Sequence, residues 1–291
     1  MRISTNSGLH SARQGKPRYS LKESIDFYAE VGFTVLDLNF SAAIYDHPFK
    51  IDKTLVDADW RTNIQELKQA VDKHGIQVRY SHLPFYQFDA PDLENEAFKR
   101  EMTLRAIEAS GMLDVEWAVV HPSRLEDRDA ARVETERYLG FLLEHSKQYD
   151  LGIAFENMSK TGSYGSNADD LSLLVDRFGE KAGICWDTGH ANLSKVSQEE
   201  SIKRMGHRLK VLHIHDNSGH GDEHRPPFMG TVNWEEVMLA LKSTEFAGDL
   251  NFEVTATHLP ESMRRAHGDY IFEAGKHLCA LFQNASTDEI L

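Results

Sequence analysis

The sequence is poor in cysteine, and its two residues of this type, Cys185 and Cys279, follow no CxxC or zinc-finger spacing. This weighs against a disulfide framework and favours a reducing compartment. No apolar run approaches the roughly 20 residues that are needed to span a bilayer. The opening stretch, MRISTNSGLH, has no apolar signal-peptide core. We therefore predict a cytoplasmic protein without a membrane partner.

Basic residues are also scarce relative to acidic ones. The 32 Lys and Arg are outnumbered by 46 Asp and Glu, which gives a formal net charge of −14. A surface of this sign repels a phosphate backbone at long range, so the composition weighs against a nucleic-acid partner. A local basic groove can still exist on an acidic protein.

The chain has no Pro/Gly/Ser-rich linker and no low-complexity stretch, which predicts one domain over residues 1–291. Short β-type apolar runs alternate with longer helical patterns, and their starts lie roughly 30 to 40 residues apart. The predicted strands are Ile3–Thr5, Thr34–Leu38, Gln77–His82, Glu116–His121, Gly152–Glu156, Gly183–Asp187, Lys210–His215 and Asp249–Val254. Eight such units favour a single α/β domain with a closed (β/α)₈ TIM barrel of about 250 residues.

The competing fold is an open doubly wound sheet. That fold usually has a glycine-rich GxGxxG loop after its first strand. Here the first strand is followed by Asn6-Ser-Gly-Leu-His10, which lacks the pattern. The helical segments are typical of crossover helices: Ser20 and Glu23 form a capping box, and Gly32 supplies a C-terminal stop. A second helix with an apolar face is predicted before Gly75; that face comprises Trp60, Ile64, Leu67 and Val71.

Groups able to bind metal recur at the predicted strand ends and in the loops that follow. They are His82, His121, Glu156, Asp187, His190, His213, His215, Asp222, His224 and Glu253. In a TIM barrel the active site forms at the C-terminal ends of the strands, so these side chains are expected to converge.

Each of these residues also has an ordinary structural interpretation. A single histidine at a strand end is more often hydrogen-bonded than metal-binding. The carboxylates Glu156, Asp187 and Glu253 differ, because each follows an apolar run, and a buried charge must be paired or bound to metal. Asp37 and Asn39 on the second strand either contact a substrate or cap the barrel. The mixture of oxygen and imidazole donors suits Mn, Zn, Co or Fe(II) better than Ca.

Four motifs make the pattern specific: AFENMS, CWDTGHAN, LHIHDN and GDEHRPP. They resemble the xylose-isomerase-like superfamily, which holds sugar isomerases and epimerases, inosose-metabolising enzymes and endonuclease IV. The resemblance implies one divalent metal, Zn or Mn, held by Glu156, Asp187, His213 and Glu253. His213 matches the family's His-x-x-Asp motif, and His215 is the alternative ligand, a partner of a ligand or a substrate contact.

Endonuclease IV resembles the chain at further positions, where it binds three zinc ions. The resemblance implies that His82, His121, His190, Asp222 and His224 can hold additional metal. The flanking segments SHLPFYQF, ENMSKTG and HDNSG depart from the signatures of that enzyme.

The leading hypothesis is therefore isomerisation or epimerisation of a small sugar or sugar phosphate through a metal-stabilised enediolate. By resemblance, Glu156 and Glu253 exchange the proton, and His190 holds a substrate oxygen. Arg225 pairs with a phosphate, polarises an oxygen or is a solvated loop arginine. The alternative is phosphodiester cleavage at an abasic site. A third class, a carbohydrate-binding barrel without catalysis, is disfavoured by the carboxylate set. The oligomeric state stays open and allows a homo-oligomer.

Overall fold

Eight parallel strands form the centre of the fold, in the order β7-β6-β5-β4-β3-β2-β1-β8. The computed structural model describes residues 1–11, 13, 15–44, 51–85 and 95–284. The strands are β1 Ile3–Asn6, β2 Val35–Asn39, β3 Gln77–His82, β4 Trp117–Val120, β5 Gly152–Glu156, β6 Ala182–Asp187, β7 Leu209–His213 and β8 Leu250–Phe252. Ile214 brings β7 and β8 together, since its amide donates to Asn251 at 2.8 Å and its carbonyl accepts from Glu253 at 3.0 Å. The prediction of a single (β/α)₈ barrel is confirmed.

A layer of helices surrounds the barrel and joins successive strands. Within the described residues the helices are α1 Gly8–Ser11, α2 Leu21–Val31, α3 Trp60–Lys73, α4 Glu96–Met112, α5 Arg128–Ser146, α6 Ala168–Asp176, α7 Thr188–Ser194, α8 Gln198–Met205, α9 Trp234–Ser243 and α10 Glu261–Asn284. The capping box is confirmed, because the side chains of Ser20 and Glu23 each bond the other residue's amide. Gly32 ends α2 in the left-handed conformation. None of these helices is long and apolar enough to cross a membrane.

Strand boundaries differ slightly from the prediction, and two differences concern the site. Strand β7 ends at His213, so His215 lies beyond it and not on it. There the chain turns toward α7, and the His215 amide donates to the Thr188 hydroxyl at 3.2 Å. His121 and Glu253 likewise follow the last residues of β4 and β8. The extent of the domain to residue 291 stays a prediction, because residues 285–291 lie outside the described residues.

The residues inside the barrel explain where polar side chains gather. One apolar layer fills its middle and comprises Val35, Tyr80, Val119, Ala154, Cys185 and Val211. Because side chains on a strand alternate with a period of two, the next residue toward the C-terminal end on the same face is two positions later. Those positions are Asp37, His82, His121, Glu156, Asp187 and His213. The metal-competent groups are therefore the next layer of the barrel interior.

The opposite end of the barrel is closed by an ionic network around Asp249, which is 2% exposed. Its carboxylate accepts from Arg2 Nη2 at 3.0 Å, from Arg79 Nη1 at 2.9 Å and from the Tyr80 hydroxyl at 3.2 Å. Burial would raise the pKa of this carboxyl, but the bonds to Arg2 and Arg79 outweigh burial and hold it below its usual value.

Replacing Asp249 with Asn should lower the free energy of unfolding by about 2 kcal/mol at neutral pH, because the half-exposed Arg2 and the largely buried Arg79 lose their buried anionic partner. A lowered carboxyl pKa stabilises the fold above the ordinary value of 3.8, and this contribution is lost as the pH falls below it. Urea unfolding of both proteins across pH 3 to 7 measures the difference. A difference that persists undiminished in acid would contradict the assignment.

Candidate metal centre

Four strands deliver one group of ligand atoms to the mouth of the barrel. Glu156, Asp187, His213 and Glu253 each place one such atom within 4.8 Å of the others. The Nδ1 atom of His213 lies 3.1 Å from a Glu156 oxygen and 3.2 Å from a Glu253 oxygen. Glu156 and Asp187 are 1% and 0% exposed. The four residues that the family resemblance implies as ligands thus converge.

The chemistry of this group fits a divalent metal. Both carboxylate oxygens of Glu156, one oxygen of Asp187 and Nδ1 of His213 are buried without a hydrogen-bond partner among the described residues. The close contacts between these atoms do not have hydrogen-bond angles. Unsatisfied buried charge is costly, and a metal ion satisfies several such atoms at once.

A second group lies beside the first and shares Glu156. It contains His82 and His121, whose Nε2 atoms lie 3.4 and 3.3 Å from the same Glu156 oxygen. Their rings are 5.0 Å apart. These two histidines were predicted as additional ligands, and the structure places them where they could hold a metal next to the first.

A third group lies beyond Asp187 and combines two triads that share His215. One is Asp187, His190 and His215, and the other is His215, Asp222 and His224. His215 Nε2 is 3.0 Å from Asp187, and Asp222 lies 3.3 Å from His190 and 3.5 Å from His224. A Cβ atom on residue 189 would lie 1.9 Å from the His215 ring, so only glycine fits there. Since Asp187 belongs to the first and third groups, and Glu156 to the first and second, all three groups are linked.

Hydrogen bonds to the outer ring nitrogens determine which nitrogen faces the centre. Nδ1 of His82 bonds the Leu83 carbonyl at 3.0 Å, and Nδ1 of His224 bonds the Glu253 carbonyl at 2.8 Å. A carbonyl only accepts, so these nitrogens carry the proton and Nε2 is left as a ligand atom. The Nδ1 atom of His190 bonds the Asn157 carbonyl at 2.8 Å in the same way.

Asp37 holds the His213 ring by its Nε2 atom, so here it is Nδ1 that faces the centre. The Asp37 carboxylate lies 3.3 Å from Nε2 of His213, accepts a bond from Asn251 at 2.8 Å, and is fully buried. This contact leaves Nδ1 of His213 directed at Glu156 and Glu253. Asp37 was predicted only to contact a substrate or cap the barrel. Its position, two residues after the inward-facing Val35, is the sequence signal for its role.

Neighbouring charges keep the carboxylates ionised. Burial would raise the pKa of Glu156, but His121 and His213 hold it well below its usual range. Burial would likewise raise the pKa of Glu253, and the charge of His213 outweighs it. The pKa of His224 is raised, to about 10, because the negative charges of Asp222 and Glu253 outweigh the effect of burial. A metal bound at Nε2 of His224 would therefore displace a proton from this ring.

A cavity of about 270 Å³ opens onto the three groups. It is lined by Asn39, Ser41, His82, Phe85, His121, Arg124, Glu156, Met158, Ser159, His190, Asp222, His224 and Glu253. Arg225 does not line it, because its side chain bonds Glu223 at 2.6 Å and the Met229 carbonyl at 3.1 Å. A larger cleft of about 510 Å³ lies beside α2 and α3. No candidate metal group of the described residues lies in that cleft, so we assign the chemistry to the smaller cavity.

Comparison with known proteins identifies the family. A family model described as xylose isomerase-like TIM barrel matches residues 25–272. The chain belongs to this family. The xylose isomerase-like fold is shared with a solved D-tagatose 3-epimerase-like protein, which has a TM-score of 0.75 and 20% identity over 100% of both chains. It is also shared with a solved IOLI protein with a binding zinc atom, with a TM-score of 0.73 and 16% identity over 99% of this chain and 100% of that one.

Two relatives differ in their chemistry. A D-psicose 3-epimerase of Enterocloster bolteae is 22% identical over 241 residues, which cover 78% of this chain and 74% of the epimerase. A probable endonuclease 4 of Acholeplasma laidlawii is 24% identical over 205 residues, which cover 63% and 69% of the two chains. Relatives of this chain are thus named for sugar epimerisation and for nucleic-acid cleavage.

Replacing Asp37 with Asn should weaken divalent-metal binding about 10- to 100-fold, because His213 loses the carboxylate that orients its ring. The metal-free protein should keep its stability, since one Asp37 oxygen is buried without a partner and the substitution removes that charge. A chelator-competition titration measures the affinity, and thermal unfolding of metal-free protein measures the stability.

Asp249→Asn is the matched control, with the same chemical change at the opposite end of the barrel. It should reduce stability and leave metal affinity unchanged. If Asp37→Asn binds metal like the parent protein, or only loses stability, the orienting role is wrong.

Proposed function

We propose that this protein is a divalent-metal-dependent isomerase or epimerase that acts on a small sugar or sugar phosphate. The observation that carries the proposal is the convergence of Glu156 and Glu253. They come from β5 and β8, three strands apart around the ring, yet approach the same nitrogen of His213 within 3.1 and 3.2 Å. Both also line the cavity.

Two ionised glutamates beside one cavity suit proton exchange at carbon. One glutamate takes the proton from the carbon next to the substrate carbonyl and becomes the carboxylic acid that returns it to the neighbouring carbon. For return to the opposite face, the other glutamate would first take up a proton from solvent. A bound Zn or Mn would supply Lewis-acid polarisation of adjacent carbonyl and hydroxyl oxygens. The lowered pKa of each glutamate keeps it in the basic form at neutral pH.

The remaining lining residues would bind the polyol. His190 lies on the cavity wall, where it can donate to a substrate oxygen or join the third ligand group. His215 is fully buried against Asp187, which favours a ligand or a partner of a ligand over direct contact with substrate. Arg225 would reach a phosphate only after leaving Glu223.

Phosphodiester cleavage of the endonuclease IV kind is the second candidate. It is favoured by the linked groups, which place His82, His121, His190, Asp222 and His224 around the first four ligands. Clusters of two or three metals activate water and stabilise both oxygens of a displacement. The net charge of −14 opposes this candidate, because DNA affinity draws on counterion release by Lys and Arg.

We also propose that the protein acts in the cytoplasm. Both cysteines are free thiols, and burial raises the pKa of the Cys185 thiol, which suits a reducing cytoplasm. The proposal is compatible with a homo-oligomer.

Glu156→Gln and Glu253→Gln should each lower exchange of solvent deuterium into a ketose by about 100- to 10,000-fold, because a proton carrier is lost. The assay uses a panel of ketoses and their phosphates on metal-loaded protein. Glu116→Gln, at the opposite end of β4, is the control and should keep full exchange. The same preparation is tested for nicking of a duplex with one abasic site. Metal-dependent nicking without exchange into any sugar would overturn the proposal in favour of the second candidate.

Elemental analysis of metal per chain should find more than one equivalent. Asp222→Asn removes a charged donor from the third group alone, so it should lower the metal content while the first site stays filled. Glu156→Gln should cause a larger loss, since Glu156 belongs to two groups. One equivalent of metal in the parent protein, unchanged in Asp222→Asn, would rule out the additional sites.

A further inference from the structure

Arg124 places a guanidinium group on the wall of the 270 Å³ cavity. It lies three residues after His121, in the loop between β4 and α5. Of the Lys and Arg residues that the structure describes, Arg124 alone lines this cavity. The other ionisable groups that line the cavity in the described part of the chain are carboxylates and histidines. Among these residues, Arg124 is therefore the one side chain that offers a substrate a fixed positive charge.

The Arg124 guanidinium is held at the wall by stacking. Its central carbon lies 4.2 Å from the centroid of the Phe85 ring. Phe85 in turn packs edge-on against His121, with ring centroids 4.9 Å apart. A guanidinium that stacks on an aromatic face keeps its N–H donors free in the ring plane. The stack therefore ties the position of Arg124 to a metal-competent histidine.

In the part of the chain that the structure describes, these N–H donors have no hydrogen-bond or ion-pair partner, whereas other arginines near the cavity are occupied. Arg128 in the same region bonds both oxygens of Asp170, and Arg225 bonds Glu223. An arginine held in place but unpaired suits an anion that arrives with the substrate.

The barrel order locates Arg124 relative to the glutamates. In a ring of eight strands β4 lies next to β5 and across from β8, so the loop that carries Arg124 begins beside Glu156 and opposite Glu253. A substrate whose reacting carbons lie between the two glutamates would place its far end on the β4 side of the cavity, where Arg124 lies. A planar fork of N–H donors matches the oxygens of a terminal phosphate.

We propose that Arg124 forms the phosphate subsite of this cavity, which makes the substrate a sugar monophosphate phosphorylated at the end remote from the reacting carbons. That the substrate is a sugar rests on the proposed function. That it has an anionic group rests on the position of Arg124. Unphosphorylated sugars bind the same centre without using Arg124.

The test compares metal-loaded parent protein with Arg124→Gln by calorimetric titration. The probes are D-fructose 6-phosphate and D-ribulose 5-phosphate, with D-fructose and D-ribulose as their uncharged counterparts. Arg124→Gln should weaken binding of the phosphates about 10- to 100-fold, because a charge-assisted bidentate contact is lost. Binding of the uncharged sugars should change less than about twofold, and Arg124→Lys should restore part of the phosphate affinity. Arg128→Gln is the matched control, since it removes an arginine of the same region that is already paired with Asp170.

Equal weakening of sugars and phosphates would mean that Arg124 only supports the wall, and no change in either would mean that it is solvated; both results overturn the subsite. Failure of every phosphate to bind the parent protein also overturns it. D-Glucuronate serves as a carboxylate probe, and Arg124-dependent binding of glucuronate without the phosphates would refute the phosphate class. Because calorimetry does not depend on turnover, Arg124-dependent phosphate binding without deuterium exchange would retain the subsite and reject the isomerase.

Discussion

The carboxylate of Glu156 is the constraint around which the rest of the centre is built. Its oxygens lie within 3.1 to 3.4 Å of ring nitrogens of His82, His121, His190 and His213, and burial removes it from water. A carboxylate in such a position is tolerated only when positive charge compensates it. Four imidazoles, and a metal that they could share, would supply that compensation. The first and second ligand groups therefore meet at this one carboxylate.

The barrel supplies the geometry for this compensation by keeping apolar and polar layers apart. Packed side chains such as Val119 and Ala154 fill the interior below, and the ionic network of Asp249 closes the far end. Stability and chemistry are therefore placed at opposite ends of the same strands, as expected for this fold. Residues that orient ligands, such as Asp37, lie within the polar layer itself and act through the hydrogen bonds of the rings.

Family membership limits the chemistry without choosing between its members. The same ligand set is compatible with proton exchange on a sugar and with metal-assisted cleavage of a phosphodiester, because both need a Lewis acid and a nearby carboxylate. The two reactions differ in the part of the substrate that lies outside the reacting bonds. A duplex needs a wide basic face, whereas this chain has a net charge of −14 and a cavity of about 270 Å³ with one arginine on its wall. Under the function that we propose, these properties favour a small anionic molecule over DNA.

The sequence by itself determined the strand and helix order, the barrel and the strand-end residues that converge, because side-chain period and apolar patterning are local properties of the chain. Only the tertiary structure decided which groups share a ligand position. In the folded chain His215 lies beyond β7 and contacts Asp187, and His213 contacts Asp37 across the barrel. Arg225 is paired with Glu223, whereas Arg124 lines the cavity. The physical reason is that such pairings join strands and loops far apart in the chain, and their ring and side-chain directions are set by packing around the closed barrel.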